Sequence, residues 1–212
     1  MTSSFTSPTD QRTTEKTACS GCGLHHQCVC LQQPTFDIPA HIALLMHENE
    51  LARETNTGQW LLKTIASTSQ HIWQRKQPCP TLIDLIENPA YCAYLLFPNE
   101  DSIALSDATA ATQKNGKKPL FIVLDGTWQE AKKMLQKSPW LQALPSVHLT
   151  PQQQSTYQLR RNQQQGHLCT LEVGSCIVAE LGLEPQAQQL DDFFQYYMRA
   201  FKADKSGHAL KQ

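Results

Sequence analysis

An α/β fold is what this sequence predicts, on three observations. The stretch Phe121-Ile-Val-Leu-Asp-Gly-Thr-Trp-Gln-Glu-Ala-Lys-Lys-Met134 changes period in its middle. An apolar run leads into Asp125 and Gly126, after which Ala131, Met134 and Leu135 recur at helical spacing, which is the pattern of a buried strand, a tight turn and a helix. The same succession, an apolar strand running into a polar turn, occurs again at His47 and at Phe97. Finally, 212 residues with 40% hydrophobic and 17% charged side chains suit one α/β domain with appendages and a substantial core. Open α/β sheets handle ligands outside the carboxyl ends of their strands, where helix N-termini offer free N–H groups, so these turns are where chemistry is expected.

Taken in order, residues 1–17 are dominated by Ser and Thr around Phe5 and are expected to form a disordered tail, because they offer too little apolar surface to offset the entropy of ordering. Residues 18–31 hold Cys19-Ser-Gly-Cys-Gly-Leu-His-His-Gln-Cys-Val-Cys30, a C-x2-C-x5-C-x-C spacing. Cys19, Cys22, Cys28 and Cys30 suit a tetrahedral zinc ion that staples a segment too small to hold itself. An iron–sulfur cluster takes the same ligands, and His25 or His26 could replace one of them. The other four cysteines, Cys79, Cys92, Cys169 and Cys176, are scattered, which points to a metal site in a reduced compartment and away from a disulfide framework.

The main domain is expected over residues 38–204. His41 to Met46 reads as a buried strand ending in His47-Glu-Asn-Glu50. A short helix or turn begins at Leu51, and Asn56-Thr-Gly58 breaks it before a helical stretch over 59–65. Ile72-Trp73 is a short strand leading to Arg75, and Thr81 caps a helix carrying Leu82, Leu85 and Ile86. Tyr94 to Phe97 is the next strand and runs into Pro98-Asn-Glu100. Residues 106–119, small and polar, read as a surface loop. Ser138-Pro139 stops the helix that follows Asp125, and Val147 to Leu149 is a further short strand. After a polar segment from Gln152 and a Gln-rich loop, Thr170 and Glu172 open a helix reaching Leu183. A last helix over 190–201 packs its Phe and Tyr residues on the sheet, and 205–212 form a flexible tail.

Several of these residues have a chemical and a structural reading. Asp125 is a carboxylate at a strand end, but both it and Thr127 also suit a helix N-cap. Trp128 can wall a pocket as well as pack. Lys114, Lys117, Lys118, Lys132, Lys133 and Lys137 stand against Asp125 and Glu130, a local excess of four positive charges that suits phosphate or, equally, a solvated helix face. Arg160 and Arg161, adjacent and before a loop, suit phosphate or carboxylate. Glu172 can act through the helix N-terminus alone. The formal net charge of −1 gives no global attraction to nucleic acid or membrane. No apolar run reaches membrane-spanning length and the N-terminus lacks the pattern of a signal peptide, so a cytoplasmic location is expected.

Asp125-Gly-Thr-Trp128, after an apolar strand and before Gln-Glu-Ala, resembles the signature of the DTW-domain family, the tRNA-uridine aminocarboxypropyltransferases. The cysteine cluster, His47 to Glu50, Asn56 to Gly58, Trp73 to Arg75, Phe97 to Glu100, Tyr157 to Arg161 and Thr170 to Glu172 follow in the family's order, over residues 19 to about 200. This resemblance, closest to the bacterial type, implies a sheet related to the knotted SPOUT methyltransferases. It also implies transfer of the 3-amino-3-carboxypropyl group of S-adenosylmethionine to N3 of a tRNA uridine in the variable loop. The implied catalytic residues are Asp125, as base or uracil-positioning group, with Thr127 and Trp128. Phe97, Pro98, Glu100, Leu124, Gly126, Tyr157, Arg160, Thr170 and Glu172 are expected to line the cofactor site. Arg75, Lys118, Lys132, Lys133 and Arg161 are expected to face RNA, and Arg160 suits either ligand. An RNA methyltransferase on the same fold and a non-catalytic zinc-dependent RNA-binding module are the competing readings.

Overall fold

The computed structural model describes residues 17–150 and 168–211. In chain order its elements are β1 (His41–Met46), a 3-10 turn (Glu48–Glu50), α1 (Gly58–Thr64), β2 (Thr68–Ile72), α2 (Pro80–Glu87), β3 (Tyr91–Leu96), β4 (Ile103–Ala104), α3 (Leu105–Lys114), β5 (Lys118–Asp125), α4 (Trp128–Gln136), α5 (Pro139–Gln142), β6 (Ser146–His148), α6 (Thr170–Glu180) and α7 (Glu184–Lys205). The strands form one six-stranded sheet in the order β2-β1-β5-β3-β6-β4, and every neighbouring pair is parallel.

A parallel sheet needs both faces covered, and the near-continuous apolar runs of β1 and β5 meet that need. Ile42, Leu44 and Met46 point to the layer of α1, α3, α6 and α7, while Ala43 and Leu45 point to that of α2, α4 and α5. β5 is split in the same way, Phe121 and Val123 facing the first layer and Leu120 and Ile122 the second. Full burial of such side chains stabilises by about 1.5–3 kcal/mol each. α6 approaches α1 so closely that a Cβ on Gly174 would lie 2.3 Å from Leu61 Cδ2, so glycine at this point sets the helix spacing.

Residues 106–119 do not form the expected loop; 105–114 are the helix α3. Its buried residues, Leu105, Ala108, Thr109 and Thr112, keep helical spacing, but small and hydroxylated side chains stand where large apolar ones were sought. Thr109 and Thr112 satisfy their hydroxyls on the carbonyls of Leu105 and Ala108, 2.9 and 2.8 Å away, which lets a polar sequence line a buried face.

The cysteine segment is docked. Leu24 and Val29 are buried in the core with Trp60 and α7. Asp204 of α7 accepts hydrogen bonds from the backbone N–H groups of His25 (2.8 Å) and His26 (2.7 Å), and its Oδ1 lies 3.1 Å from His26 Nδ1. Lys63 of α1 donates to the Gly21 carbonyl at 2.6 Å, and the Leu210 N–H donates to the Gln27 side chain at 2.7 Å.

Because the strands are parallel, their carboxyl ends share one rim. Met46 pairs with Ile72 on one side and with Asp125 on the other, so the residues following β1, β2 and β5 are brought together.

Candidate functional site

Asp125 is the hub of that rim. It is 2% exposed, and its two carboxylate oxygens face different elements. Oδ1 accepts from the Thr170 hydroxyl at the start of α6, and Oδ2 accepts from the Asn56 amide at 3.1 Å. Asn56 also donates toward the backbone carbonyl and side chain of buried Glu50, at 3.2 and 3.3 Å, and its own oxygen accepts from the Gln59 N–H at 3.0 Å. Leu171 N–H donates to the Thr57 hydroxyl at 3.3 Å, a second tie between α1 and α6. Gly58 stands directly over the carboxylate: a Cβ there would lie 2.6 Å from Asp125 Oδ2.

A second polar group adjoins the first. Thr127 caps α4, its hydroxyl accepting from Glu130 N–H at 3.2 Å while the Thr127 N–H returns a bond to Glu130 at 2.8 Å. Thr127 therefore has the capping role. Arg53 grips Glu130 with two N–H bonds of 3.0 Å each, a bidentate fork, and also pairs with Glu50. Asn49 donates to Glu130 at 2.8 Å. Burial by itself would raise the Glu130 carboxyl, but the hydrogen bonds from Arg53, Asn49 and Thr127 outweigh it and hold this group far below the usual carboxylate range. His47 closes the side of the site. Its ring stacks on Trp73 at 5.5 Å, its Nδ1 accepts from the Asn49 N–H at 3.3 Å, and the Trp73 indole N–H donates to Ser138 at 2.9 Å.

The structure thus brings Leu124, Asp125, Gly126, Thr127 and Thr170 together, with Trp128 and Phe97 on the rim beside them. Phe97, Pro98 and Glu100 follow β3, and Pro98 and Glu100 are exposed. Glu172 is accounted for locally: it accepts from the Cys169 N–H at 2.8 Å and caps α6. Arg75 is exposed just beyond β2, on the same rim. The six lysines do not form one patch. Lys118 begins β5, seven residues from Asp125 and so roughly 23 Å away along the strand, with Lys114 and Lys117 beside it, whereas Lys132 and Lys133 lie on α4. Tyr157, Arg160 and Arg161 fall outside the described residues. Glu50, Arg53, Asn56 and Glu130 are residues whose roles sequence reasoning did not assign. The clusters that contain two of them, His47 to Glu50 and Asn56 to Gly58, were the signal.

The four cysteine sulfurs all lie within 4.8 Å of one another, with Cys19 3.5 Å from Cys28 and 3.8 Å from Cys30. A tetrahedral ion with metal–sulfur bonds of about 2.3 Å sets its ligands about 3.8 Å apart, so the set fits a single zinc ion. A multi-iron cluster, with its thiolates on separate irons, needs them more widely spread. The backbone N–H groups of Cys22 and Gly21, then the Cys28 thiol, bring Cys19 down to about 6, while burial and its thiol neighbours push Cys30 up to about 12.

A doubly covered parallel sheet with a carboxylate hub at its carboxyl rim and a four-thiol segment docked alongside defines an α/β domain, with its hub at the edge where open sheets of this class bind ligands. The chain belongs to the DTW domain family, which matches residues 16–202. It is similar to tRNA-uridine aminocarboxypropyltransferase 2 of Drosophila melanogaster, at 27% identity over 167 residues, covering 76% of this chain and 64% of the relative. The chain thus spans just under two thirds of that relative's length. No solved structure matches. Among the described residues, no helix is long and apolar enough to cross a membrane.

Proposed function

We propose that this chain transfers the 3-amino-3-carboxypropyl group of S-adenosylmethionine to N3 of a tRNA uridine, in the variable loop as the bacterial members resembling it do. The observation that carries the reading is the placement of Asp125, in the family's signature, as the hub joining β5, α1 and α6 at the strand ends; the name of the fly relative supports the chemistry. The fold relation to the knotted SPOUT enzymes belongs to the same proposal.

In this reaction a bond forms between uracil N3 and the methionine Cγ, the Cγ–sulfur bond breaks with its electrons going to sulfur, 5′-methylthioadenosine leaves, and the N3 proton is lost. The sulfonium substrate supplies three activated carbons, so alignment decides which one reacts. The chain's contribution is this alignment. With one oxygen on Thr170 and the other on Asn56, Asp125 is held as a positioning group that fixes the loops around the uracil; accepting the N3 proton is its second possible role. Thr127 and Glu130 fix the turn at Gly126, Leu124 and Thr170 line it, and Pro98, Glu100, Tyr157, Arg160 and Glu172 complete the proposed cofactor wall. Arg75, Lys132, Lys133 and Arg161 are the proposed RNA-facing cations. Zinc held by Cys19, Cys22, Cys28 and Cys30 has a structural role.

The test is incubation of the purified protein with tRNA and S-adenosylmethionine, followed by mass spectrometry of nucleosides and by-product. The expected products are 3-(3-amino-3-carboxypropyl)uridine and methylthioadenosine; a methylated nucleoside with S-adenosylhomocysteine would overturn the reading. Asp125→Asn partly retaining activity that Asp125→Ala loses, with an unchanged pH profile, supports positioning. Equal loss in both variants supports the base.

A further inference from the structure

Arg53 belongs to both polar groups at the rim. Its guanidinium forks onto Glu130, Nη1 to Oε2 and Nη2 to Oε1 at 3.0 Å each, and Nη1 also donates to Glu50 Oε1. On one side, Glu130 Oε2 accepts from the N–H and the hydroxyl of Thr127, both at 2.8 Å, and so holds the turn after β5. On the other, the second Glu50 oxygen accepts from the Asn56 amide at 3.3 Å, and that amide also donates to Asp125 Oδ2 at 3.1 Å. The Arg53 backbone reinforces this side, because its carbonyl accepts from the Asn56 N–H at 2.9 Å. A continuous line of hydrogen bonds therefore runs from Thr127 through Glu130, Arg53, Glu50 and Asn56 to Asp125, and on to Thr170.

The backbone does not set this alignment. Pairing of β1 with β5 closes with the His47 N–H on the Asp125 carbonyl, at 2.9 Å. Past that point no backbone hydrogen bond joins residues 48–57 to 126–130 among the described residues, so side chains hold the two turns together. The Glu50 side chain is fully buried and that of Glu130 is 14% exposed, which leaves little water to compete for either carboxylate. A guanidinium suits two carboxylates at once, because its N–H groups lie in one rigid planar fork. An ammonium is a compact point charge and cannot reproduce that geometry.

Resting on the proposed function, we infer that Arg53 is a positioning residue for the transfer step, coupling the turn that carries Thr127 to the Asp125 carboxylate so that the two halves of the site keep one geometry. It acts through Glu130 and Glu50, without contacting the substrates itself.

The experiment follows transfer from S-adenosylmethionine to unmodified tRNA transcript by the full, zinc-loaded chain. It takes kcat and the KM for each substrate below the melting point of every variant. Arg53→Lys keeps the charge and loses the fork. Its kcat is expected to fall by about 10- to 100-fold, as for a misplacement approaching 1 Å, with both KM values little changed. Glu130→Gln breaks the same link from its other end. The double variant should therefore be about 2- to 100-fold faster than the product of the two single losses requires, the coupling of groups in direct contact. The inference is overturned if folded Arg53→Lys keeps the wild-type kcat, or if the two losses simply multiply. A loss confined to the KM for tRNA would overturn it as well, making Arg53 an RNA-contacting cation. A wild-type chain that transfers nothing to tRNA would remove the proposed function and this role with it, an outcome distinct from the other three.

Discussion

Gly58→Ala is the most informative single methyl group that can be added to this protein. The new Cβ would stand 2.6 Å from Asp125 Oδ2, 3.1 Å from its carboxyl carbon and 3.2 Å from Asn56 Oδ1, whereas ordinary contact begins at 3.4 Å. Something must therefore move by about 0.8 Å. Asp125 cannot retreat easily, because it ends a strand paired to β1 and its oxygens are held by Asn56 and Thr170. The start of α1 yields instead and carries Asn56 and Thr57 with it. Overpacking of this kind costs about 1–3 kcal/mol, offset in part by the better helix propensity of alanine, at most about 1 kcal/mol. A displacement near 1 Å among positioning groups lowers a transfer rate by about 100-fold. Nucleoside mass spectrometry gives the rate, and thermal unfolding gives a melting point expected to fall by roughly 2–4 °C per kcal/mol. A variant with wild-type transfer and an unchanged melting point would refute the claim that α1 is pressed against the carboxylate.

Three further outcomes follow from other parts of the fold. Burial lowers the pKa of His41 and of His71 from the ordinary 6.5, His71 further through its proximity to His41, and both hydrogen bond to Ser69 at 2.8 Å. Below pH 6.5 the unfolded chain takes up protons that these two rings resist, so stability present at pH 7.5 is lost as the pH falls toward the folded values. Melting points from pH 7.5 to 5.5 should fall by a few degrees, and less in His71→Gln. Gly174→Ala, which drives a methyl into Leu61, should destabilise by about 1–3 kcal/mol in denaturant titration, and an unchanged midpoint would contradict the close α1–α6 contact. Chelation or Cys28→Ser should release one zinc per chain, by elemental analysis, and lower the melting point, because Leu24 and Val29 leave the core when their segment loosens. A metal-free chain of full stability would contradict this docking.

Much of the architecture was readable from local patterns. β1, the apolar part of β3 and β5 stand where unbroken apolar runs meet polar turns, and α4 starts where the run of β5 gives way to helical spacing. The capping role open to Thr127 is met by Glu130 three residues on, a relation local enough to be written in the chain. α3 escaped because its buried face is built from Ala and Thr, whose polarity conceals the helical spacing. β2 was only glimpsed at its end, Ile72, because Thr68, Ser69 and Gln70 form an edge strand whose polar side chains need no apolar partner.

The turn at 125–128 could be found from residues alone, but its surroundings could not. Asp125 meets Asn56 across 69 positions and Thr170 across 45, and Glu130 meets Arg53 across 77. No periodicity encodes such contacts; they exist because parallel pairing sets the ends of β1, β2 and β5 on one rim and lays α1 and α6 over them. The reverse holds for the lysines, which look clustered along the chain but are parted by the length of β5. Residue type and spacing fix what a segment can form and which chemistry its side chains carry. Which of those side chains share a site depends on the packing of distant segments, because burial and parallel pairing bring together groups that nothing local connects.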